Sequence, residues 1–259
     1  MNDSNPKLSI ITVIYNDRDG LNITLNSIKG QSFQDYEWIV IDGGSTDGSV
    51  DLIKENKTLI KRWVSEPDEG IYDAMNKGIR FATGDWVTFM NAGDLYTSSD
   101  ALNTIFSTDL AYAQFIYTDM KLLSESGKFV RKIPAEKLTK LSITKGMIAC
   151  HQAMFVKRSI CPMYSDHLKY QGDLNWTMDI LAIVKKEAIV YVPKALIYFK
   201  SGGFSDQTIF YQLKEHLHLI IYRYNWGVLL FRIPRLMRRY GGKWLRRLLG
   251  IETFRFWVK

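Results

Sequence analysis

Residues 8–17 read LSIITVIYND and residues 36–44 read YEWIVIDGG, and these two stretches decide the fold. Each is an almost continuous apolar run, rich in β-branched residues, that stops abruptly at polar residues. Such runs are typical of parallel strands that are buried on both faces of a sheet. Between them, apolar residues recur at helical spacing from Leu21 to Ile28. The pattern predicts a strand–helix–strand unit.

The same alternation continues to about residue 95. Residues 59–64 and 86–90 are two further strand candidates, and Ile71–Thr83 between them is an amphipathic helix. Repeated units of this length predict an α/β fold with a mostly parallel central sheet and helices on both faces. Ligands bind at the carboxyl ends of the strands in such open sheets. Here the strands run into polar, acid-containing loops, namely Tyr15-Asn16-Asp17, Asp42-Gly43-Gly44, Glu66-Pro67-Asp68 and Asn91-Ala92-Gly93-Asp94.

The rest of the chain is less regular. Four short strand candidates alternate with polar loops, at Phe115–Thr118, Phe129–Ile133, Ala153–Val156 and Ile189–Val192. Leu174–Val184 has a helical pattern. We therefore divide the chain into a domain and a tail. The domain spans residues 1–212, with a regular first half (1–95) and a less regular second half (96–212), and the tail spans residues 213–259.

The positive charge belongs to the tail. The chain has a formal net charge of +7, but residues 214–259 hold 11 Lys/Arg against 2 Asp/Glu, a balance of +9. The remaining residues carry −2. A nucleic-acid-binding protein would spread basic residues over a folded surface, so we expect no nucleic-acid partner.

The tail is amphipathic. From Ile233 onward we expect one apolar face, with basic residues largely on the other side and Gly241-Gly242 dividing the segment into two short helices; the face comprises Ile233, Met237, Tyr240, Trp244, Leu245 and Leu248. Leu217–Pro234 is too often interrupted by polar residues for a membrane span. Basic amphipathic helices with tryptophan lie well on an anionic membrane surface. The alternative is a helix docked on the protein's own core with a solvated basic side.

The sequence lacks the motifs of two common classes of nucleotide-binding protein. The sequence has no G-x-G-x-x-G after its first strand and no G-x-x-x-x-G-K-[ST], so it supports neither a dinucleotide enzyme nor a P-loop NTPase.

Cys150 and Cys161 have neither metal-site spacing nor a disulfide framework, which fits a reducing cytoplasm. Residues 1–7 lack the apolar segment of a secretory signal. We expect a cytoplasmic location.

Together, SIITVIYN, WIVIDGGSTDGS, EPDEGIYDAMNKGI and NAGD resemble the motifs of the family 2 glycosyltransferases, which have the GT-A fold. The resemblance is closest to enzymes that assemble bacterial O-antigen, capsule and exopolysaccharide repeat units. It is specific over residues 8–95, looser over 146–205 and absent from the tail. It implies an inverting enzyme that moves a hexose from a UDP-sugar to a sugar-diphosphate-polyprenol at the cytoplasmic face of the inner membrane, with a β-linked product.

The resemblance makes residues 1–212 a GT-A catalytic domain, with residues 1–95 as its nucleotide-binding half and residues 96–212 as its acceptor-binding half. It also assigns the donor site. The backbone at Val13 and the ring of Tyr15 would flank the uracil, and Asp42 would bind its imide N–H. The ribose and phosphate side would be lined by Asp68, Gly70, Asn76 and Lys77.

Asp94 matches the last acid of the family's metal motif, which would hold Mn²⁺ or Mg²⁺. Oxygen ligands suit both ions. Asn91 replaces the first acid of that motif and Gly93 a usual Asp or Ser, so one carboxylate remains. The alternative is that Asp94 caps a following helix.

The resemblance places the acceptor site and the catalytic base in the second half. An inverting transferase needs a carboxylate that takes the proton of the attacking hydroxyl. Asp173 is the best match, with Asp166 and Asp179 as competitors and helix capping as the alternative role. Acceptor contacts would come from His151, Gln152 and Trp176, although a core role for Trp176 and a loop role for His151 stay open. Ser201–Ser205 resembles a family loop that closes near the diphosphate.

Two other functions fit parts of the sequence. A sugar-1-phosphate nucleotidyltransferase shares this kind of sheet and metal use. It would need a glycine-rich, basic loop after the first strand, and Tyr15-Asn16-Asp17-Arg18-Asp19 is a poor one. A non-catalytic sugar-nucleotide-binding protein would explain the single metal carboxylate.

Overall fold

The computed structural model describes residues 5–107, 110–124, 126–135, 137–200 and 209–249. Nine strands form one sheet. They are β1 (Leu8–Ile14), β2 (Tyr36–Asp42), β3 (Ile60–Ser65), β4 (Trp86–Phe89), β5 (Leu95–Tyr96), β6 (Phe115–Leu123), β7 (Phe129–Ile133), β8 (Met154–Lys157) and β9 (Ile189–Lys200). The α-helices of the described residues are α1 (Arg18–Lys29), α2 (Ser49–Glu55), α3 (Ile71–Phe81), α4 (Ala101–Phe106), α5 (Gly172–Ile183), α6 (Ile209–Arg223) and α7 (Trp226–Leu249).

The sheet has a parallel half and a mixed half. Its strand order is β3-β2-β1-β4-β8-β6-β9-β5, with β7 paired to β6. Strands β3, β2, β1 and β4 are all parallel, as the strand–helix alternation predicts. Strand β8 is antiparallel to both β4 and β6, and β9 is parallel to β6. The short β6–β7 connection forms an antiparallel hairpin, since parallel neighbours need a long crossover. The predicted α/β sheet is confirmed.

Helices cover both faces of the sheet. Because neighbouring residues of a strand point to opposite faces, β1 and β2 supply two cores at once. Ile11 and Ile39 pack with α3 and α5, whereas Ile10 and Trp38 pack with α1 and α2. The four side chains are fully buried. This double burial explains why both strands read as continuous apolar runs.

The tail is a helical hairpin that docks on the second half of the domain. Helix α6 ends at Arg223 and α7 begins at Trp226. The predicted break at Gly241-Gly242 is wrong, because α7 runs through both glycines. A glycine destabilises a helix by only about 1 kcal/mol. Helix α7 also packs against α6 through Leu229, Leu236 and Tyr240, and this packing stabilises it.

Polar contacts fix the hairpin to the domain. The Glu215 carboxylate accepts hydrogen bonds from the backbone N–H groups of residues 169, 170 and 171 at 3.1, 2.9 and 2.8 Å. Arg223 forms an ion pair of 2.7 Å with Asp179, and Arg232 donates to Thr144. The docked tail expected as the alternative is therefore present, and residue 212 lies inside α6. Among the described residues, no helix combines the length and apolarity needed to span a bilayer.

Candidate functional site

The candidate site lies where the parallel strands end. Ile14 of β1 lies beside Asp42 of β2, and Asp42 lies beside Ser65 of β3. The three loops that follow therefore start at the same level. Strand β4 pairs with β1 and brings the fourth loop to the same edge of the sheet. The predicted convergence of the strand-end loops is confirmed.

Asp42 is buried with one oxygen committed and the other unpaired. Its Oδ2 accepts hydrogen bonds from the N–H groups of Gly44 (3.2 Å) and Ser45 (3.0 Å) and from the Ser65 hydroxyl (2.6 Å). Gly44 has a φ of +86°, which glycine adopts without strain. The other Asp42 oxygen, Oδ1, has no partner among the described residues. A buried acceptor without a donor is costly, so this atom suits a ligand N–H.

Tyr15, Gly43 and Asp68 meet above the end of β2. A Cβ on Gly43 would lie 2.5 Å from an Asp68 carboxylate oxygen and 3.4 Å from the Tyr15 ring. Only glycine allows the acid and the ring to approach the backbone this closely. The other Asp68 oxygen accepts the Gly70 N–H at 2.9 Å. The Tyr15 ring is 67% exposed, so a planar ligand has access to it.

Three of the predicted donor contacts have other partners. Lys77 Nζ pairs with Glu66 (2.9 Å) and Asp73 (3.0 Å), and these bonds raise its pKa even though burial lowers it. Asn76 exchanges two hydrogen bonds with the backbone of Tyr164, at 3.0 and 2.7 Å. The Asn76 side chain is thus occupied in joining α3 to the second half. The Val13 carbonyl accepts the Ala92 N–H at 3.3 Å.

Asp94 is a buried carboxylate held from two sides. Gln152 Nε2 donates to its Oδ2 at 2.9 Å, and the Lys200 N–H lies 3.3 Å from its Oδ1. Burial raises the Asp94 pKa to about 7, against these two hydrogen bonds and the charge of His151, which lower it. The helix-cap alternative is wrong, because β5 follows Asp94 directly and the next helix begins only at Ala101.

His151 joins Asp173 to the end of β4. Its Nδ1 lies 3.1 Å from Asp173 Oδ2, and its Nε2 lies 3.5 Å from Asn91 Nδ2. Burial lowers the His151 pKa, but the carboxylates of Asp173 and Asp94 outweigh it, and the net pKa is raised. His151 and Gln152 lie in one short 3₁₀ turn, so adjacent residues hold Asp173 and Asp94.

Asp173 differs from its two competitors. It lies in the first turn of α5, whose N-cap residue is Gln171, and its Oδ1 is buried without a partner among the described residues. The Asp166 side chain is 82% exposed, beside His167. Asp179 is occupied by Arg223 and by Asn175. Of the three acids, Asp173 alone pairs with His151 in the described structure.

Aromatic rings form the wall behind Asp173. Tyr164 stacks on Tyr72 and on Trp176, with centroid distances of 5.2 Å in both pairs. Trp176 is fully buried and donates to the Pro162 carbonyl, which favours the core role that the sequence left open over a contact with an acceptor. A Cβ on Gly172 would clash with the Tyr72 ring. This explains why glycine stands at position 172.

Two residues near the site were not predicted from the sequence. Tyr72 lies within the motif EPDEGIYDAMNKGI, and this position could have indicated it. The Lys200 N–H gives no such signal, because the contact comes from the backbone. The predicted closing loop, Ser201–Ser205, lies outside the described residues. The described residues contain no group of three or more His, Cys, Asp or Glu side chains that could hold a metal by themselves.

Comparisons with known proteins agree with this geometry. The family described as "Glycosyl transferase family 2" matches residues 9–161. A stretch of 100 residues is 42% identical to an uncharacterized glycosyltransferase of Mycobacterium tuberculosis and covers 38% of this chain and 38% of that relative. A PGL/p-HBAD biosynthesis glycosyltransferase of Mycobacterium bovis is 27% identical over 215 residues, which cover 79% of this chain and 81% of the relative.

Solved structures share the fold. Staphylococcus aureus TarS in complex with UDP-GlcNAc superposes with a TM-score of 0.70 at 18% identity, over 91% of this chain and 74% of that one. The mannosyltransferase PcManGT of Pyrobaculum calidifontis, in complex with GDP-Man and Mn²⁺, has a TM-score of 0.66 at 15% identity, over 97% and 77% of the two chains. At these identities the likeness shows the GT-A fold alone.

Proposed function

Because this chain belongs to glycosyl transferase family 2, we propose that it is an inverting glycosyltransferase that moves a hexose from a UDP-sugar to a sugar-diphosphate-polyprenol. Its place would be the assembly of a bacterial surface polysaccharide of the O-antigen type, with a β-linked product. One observation carries the proposal. His151 and Gln152, adjacent in the chain, hold the candidate base Asp173 and the candidate metal ligand Asp94.

The donor side is supported by unpaired and exposed groups. Asp42 Oδ1 is buried and lacks a donor, and the uracil imide N–H is a donor of the right kind. The exposed Tyr15 ring would stack on the base. Asp68 lies beside that ring and would face the ribose. Gly70, with open space around its Cα, would let the phosphates pass close to the backbone.

The residues present fit a divalent cation that the donor helps to bind. Asp94 supplies a carboxylate, and the buried Oδ1 of Asn91, three residues before it, has no partner among the described residues. Mg²⁺ is often held by one or two carboxylates together with substrate phosphates. A bound Mn²⁺ or Mg²⁺ would neutralise negative charge on the departing diphosphate. Because ionised Asp94 is the better ligand, its raised pKa predicts weaker metal binding below about pH 7.

The chain's own residues support a single displacement. Asp173 would accept the proton of an acceptor hydroxyl on its buried, unpaired Oδ1. The hydroxyl oxygen would then bond to the anomeric carbon while the bond from that carbon to the diphosphate oxygen breaks. UDP leaves with the electron pair, and one displacement turns an α-linked donor into a β-linked product. His151 would keep Asp173 oriented, and Lys77 would keep the loop of Glu66 closed beside the donor.

The acceptor follows from the tail. A sugar-diphosphate-polyprenol resides in the inner membrane, and a cationic helix suits the anionic cytoplasmic face. The chain would therefore be cytoplasmic and peripherally bound there.

A donor and acceptor screen tests the function. Purified protein is incubated with Mn²⁺, UDP-Glc, UDP-Gal, UDP-GlcNAc or UDP-GalNAc, and a synthetic HexNAc-diphosphate-lipid, and released UDP is measured. We expect one donor to dominate and NMR of the product to give a β-anomer. An α-anomer would refute inversion. Release of pyrophosphate would point to a nucleotidyltransferase, and nucleotide binding without turnover would point to a non-catalytic protein.

Asp173→Asn serves as the critical variant. We expect it to abolish transfer while UDP binding is retained. Asp166→Asn is the matched control, since Asp166 is exposed on the same segment and lacks the His151 contact. Equal losses in both variants would remove Asp173 from the role of base.

A further inference from the structure

Helix α7 carries a row of exposed apolar side chains. Trp226, Leu230, Ile233, Met237 and Trp244 are 65, 64, 38, 70 and 59% exposed. Their spacing of four, three, four and seven residues places them on one side of the helix. We call these five residues the outer stripe.

The outer stripe is separate from the side of α7 that docks on the protein. Leu229, Leu236 and Tyr240 are buried and pack against Ile220 of α6. Tyr240 therefore leaves the apolar face that the sequence predicts, while Ile233, Met237 and Trp244 stay exposed. Docking and the outer stripe use different sides of the same helix. Exposed apolar surface of this extent marks an interaction site.

The positive charge of the tail favours an anionic partner for the outer stripe. Between Glu215 and Glu252 the sequence has eight Lys/Arg and no Asp/Glu. Arg235 and Arg238 are exposed on α7. The spacing of the stripe would also suit a coiled coil with a second copy. Such pairing needs complementary charges beside the seam, and a second copy would bring cations against cations. Anionic phospholipids neutralise the same charges, and the interface accommodates tryptophan rings.

We propose that the outer stripe of α7 lies in the headgroup region of an anionic bilayer, with the helix parallel to the membrane plane. The stripe runs from residue 226 to residue 244, which is about 27 Å along the helix. This inference deepens the proposed function and rests on it, because a lipid-linked acceptor lies at the same surface.

The helix pair that would bind the membrane also holds the candidate base. Glu215 of α6 accepts the N–H groups of residues 169–171, just before Asp173. Arg223 at the end of α6 holds Asn175 and Asp179 of α5. The membrane anchor thus contacts the segments on either side of Asp173, and anchoring would place Asp173 at a fixed height above the lipid.

Vesicle binding tests the proposal. Full-length protein is sedimented with vesicles of phosphatidylglycerol and phosphatidylcholine, or of phosphatidylcholine alone. Trp226→Ser/Leu230→Ser/Met237→Ser removes three stripe side chains, and we expect partitioning onto the anionic vesicles to fall on the order of 100-fold. Arg238→Gln, at the exposed arginine nearer to the stripe, should lower it roughly fivefold, and less at high salt. The matched control Tyr112→Ser/Phe129→Ser/Ile183→Ser removes three exposed apolar side chains elsewhere and should bind as the parent does.

The outcomes distinguish a failure of the membrane-binding proposal from a failure of the proposed function. The proposal is overturned if the parent protein does not bind anionic vesicles, or if the stripe variant binds as well as the control variant. It is also overturned if the parent self-associates through the stripe and does not bind lipid, as sedimentation velocity would show. UDP release with a water-soluble acceptor should be unchanged in the stripe variant. If no donor is turned over but vesicle binding depends on the stripe, the proposed function fails and the membrane surface stands.

Discussion

Replacing His151 with alanine tests how the candidate base is held. The side chain of His151 is 8% exposed, and its Nδ1 lies 3.1 Å from Asp173 Oδ2. The other Asp173 oxygen already lacks a partner among the described residues. Without His151, Asp173 loses its observed side-chain partner and can turn away from the acceptor. A hydrogen bond to a charged group is worth about 1.5–3 kcal/mol. If the whole of that is lost at the transition state, kcat falls roughly tenfold to 150-fold.

The assay is UDP release at saturating donor and acceptor, with kcat and KM measured separately. The KM for the UDP-sugar should hardly change, because the contacts of His151 are to Asp173 and Asn91 and not to the Asp42 loop. His151→Asn should keep more activity than His151→Ala, since its amide can donate from near the position of Nδ1. His167→Ala is the control, because His167 is 92% exposed.

A double-mutant cycle decides between positioning and general structural damage. If His151 acts by holding Asp173, then His151→Ala should cost less than about twofold once Asp173 is already asparagine. The reasoning is refuted if the same tenfold or larger loss persists in the Asp173→Asn background. It is also refuted if KM for the donor changes and kcat does not. Melting curves verify that each variant is folded at the temperature of the kinetic assay.

Three further substitutions follow from the geometry. Asp42→Ala should raise the KM for the UDP-sugar roughly 10- to 100-fold with little change in kcat, and Asp51→Ala, at an exposed acid of α2, is the control in the same kinetic assay. Gly172→Ala should destabilise the protein by about 1–3 kcal/mol in urea unfolding, because its Cβ would clash with Tyr72, and Tyr72→Leu should restore part of the loss. Asp94 titrates near pH 7 in the fold against 3.8 normally, so its burial costs stability increasingly as the pH rises from about 4 to 7. Asp94→Asn should therefore raise the melting temperature at pH 8 by roughly 5 °C and little at pH 4, and should abolish the stabilisation by Mn²⁺ with UDP; an equal shift at both pH values would contradict the assignment.

The first half of the site could be predicted because its signals are local. A strand that is buried on both faces reads as an apolar run, and the first polar residue after it marks the edge where ligands bind. Asp42 and Asp94 were found in this way. Their hydrogen-bond partners were not, because Gln152 reaches Asp94 across 58 positions and no periodicity links the two. Lys77 looked available for phosphate until the structure paired it with Glu66 and Asp73.

The second half was harder to predict for a different reason. Helix α5 is buried on most sides, including Leu174, Trp176 and Ile180, so no polar stripe shows which side faces the site. The sequence therefore left a sugar contact open for Trp176 beside the more ordinary role in the core. On α7 the periodicity predicts one broad apolar face, whereas the structure has two. Tyr240 turns toward α6, where its hydroxyl lies 2.9 Å from Nδ1 of His216. Periodicity locates an apolar side but does not divide it between partners.

The departure from the usual metal motif at Asn91 follows from the position of His151. Asn91 Nδ2 lies 3.5 Å from His151 Nε2, so as a donor it leaves that nitrogen as an acceptor and the proton on Nδ1, which faces Asp173. His151 already lies near the carboxylates of Asp173 and Asp94, which raise its pKa. An aspartate at position 91 would add a third carboxylate and favour the imidazolium form further. A second acid would also lie near Asp94, which burial already drives toward the neutral form. Asparagine therefore retains an oxygen near the metal ligand without adding a third carboxylate beside His151.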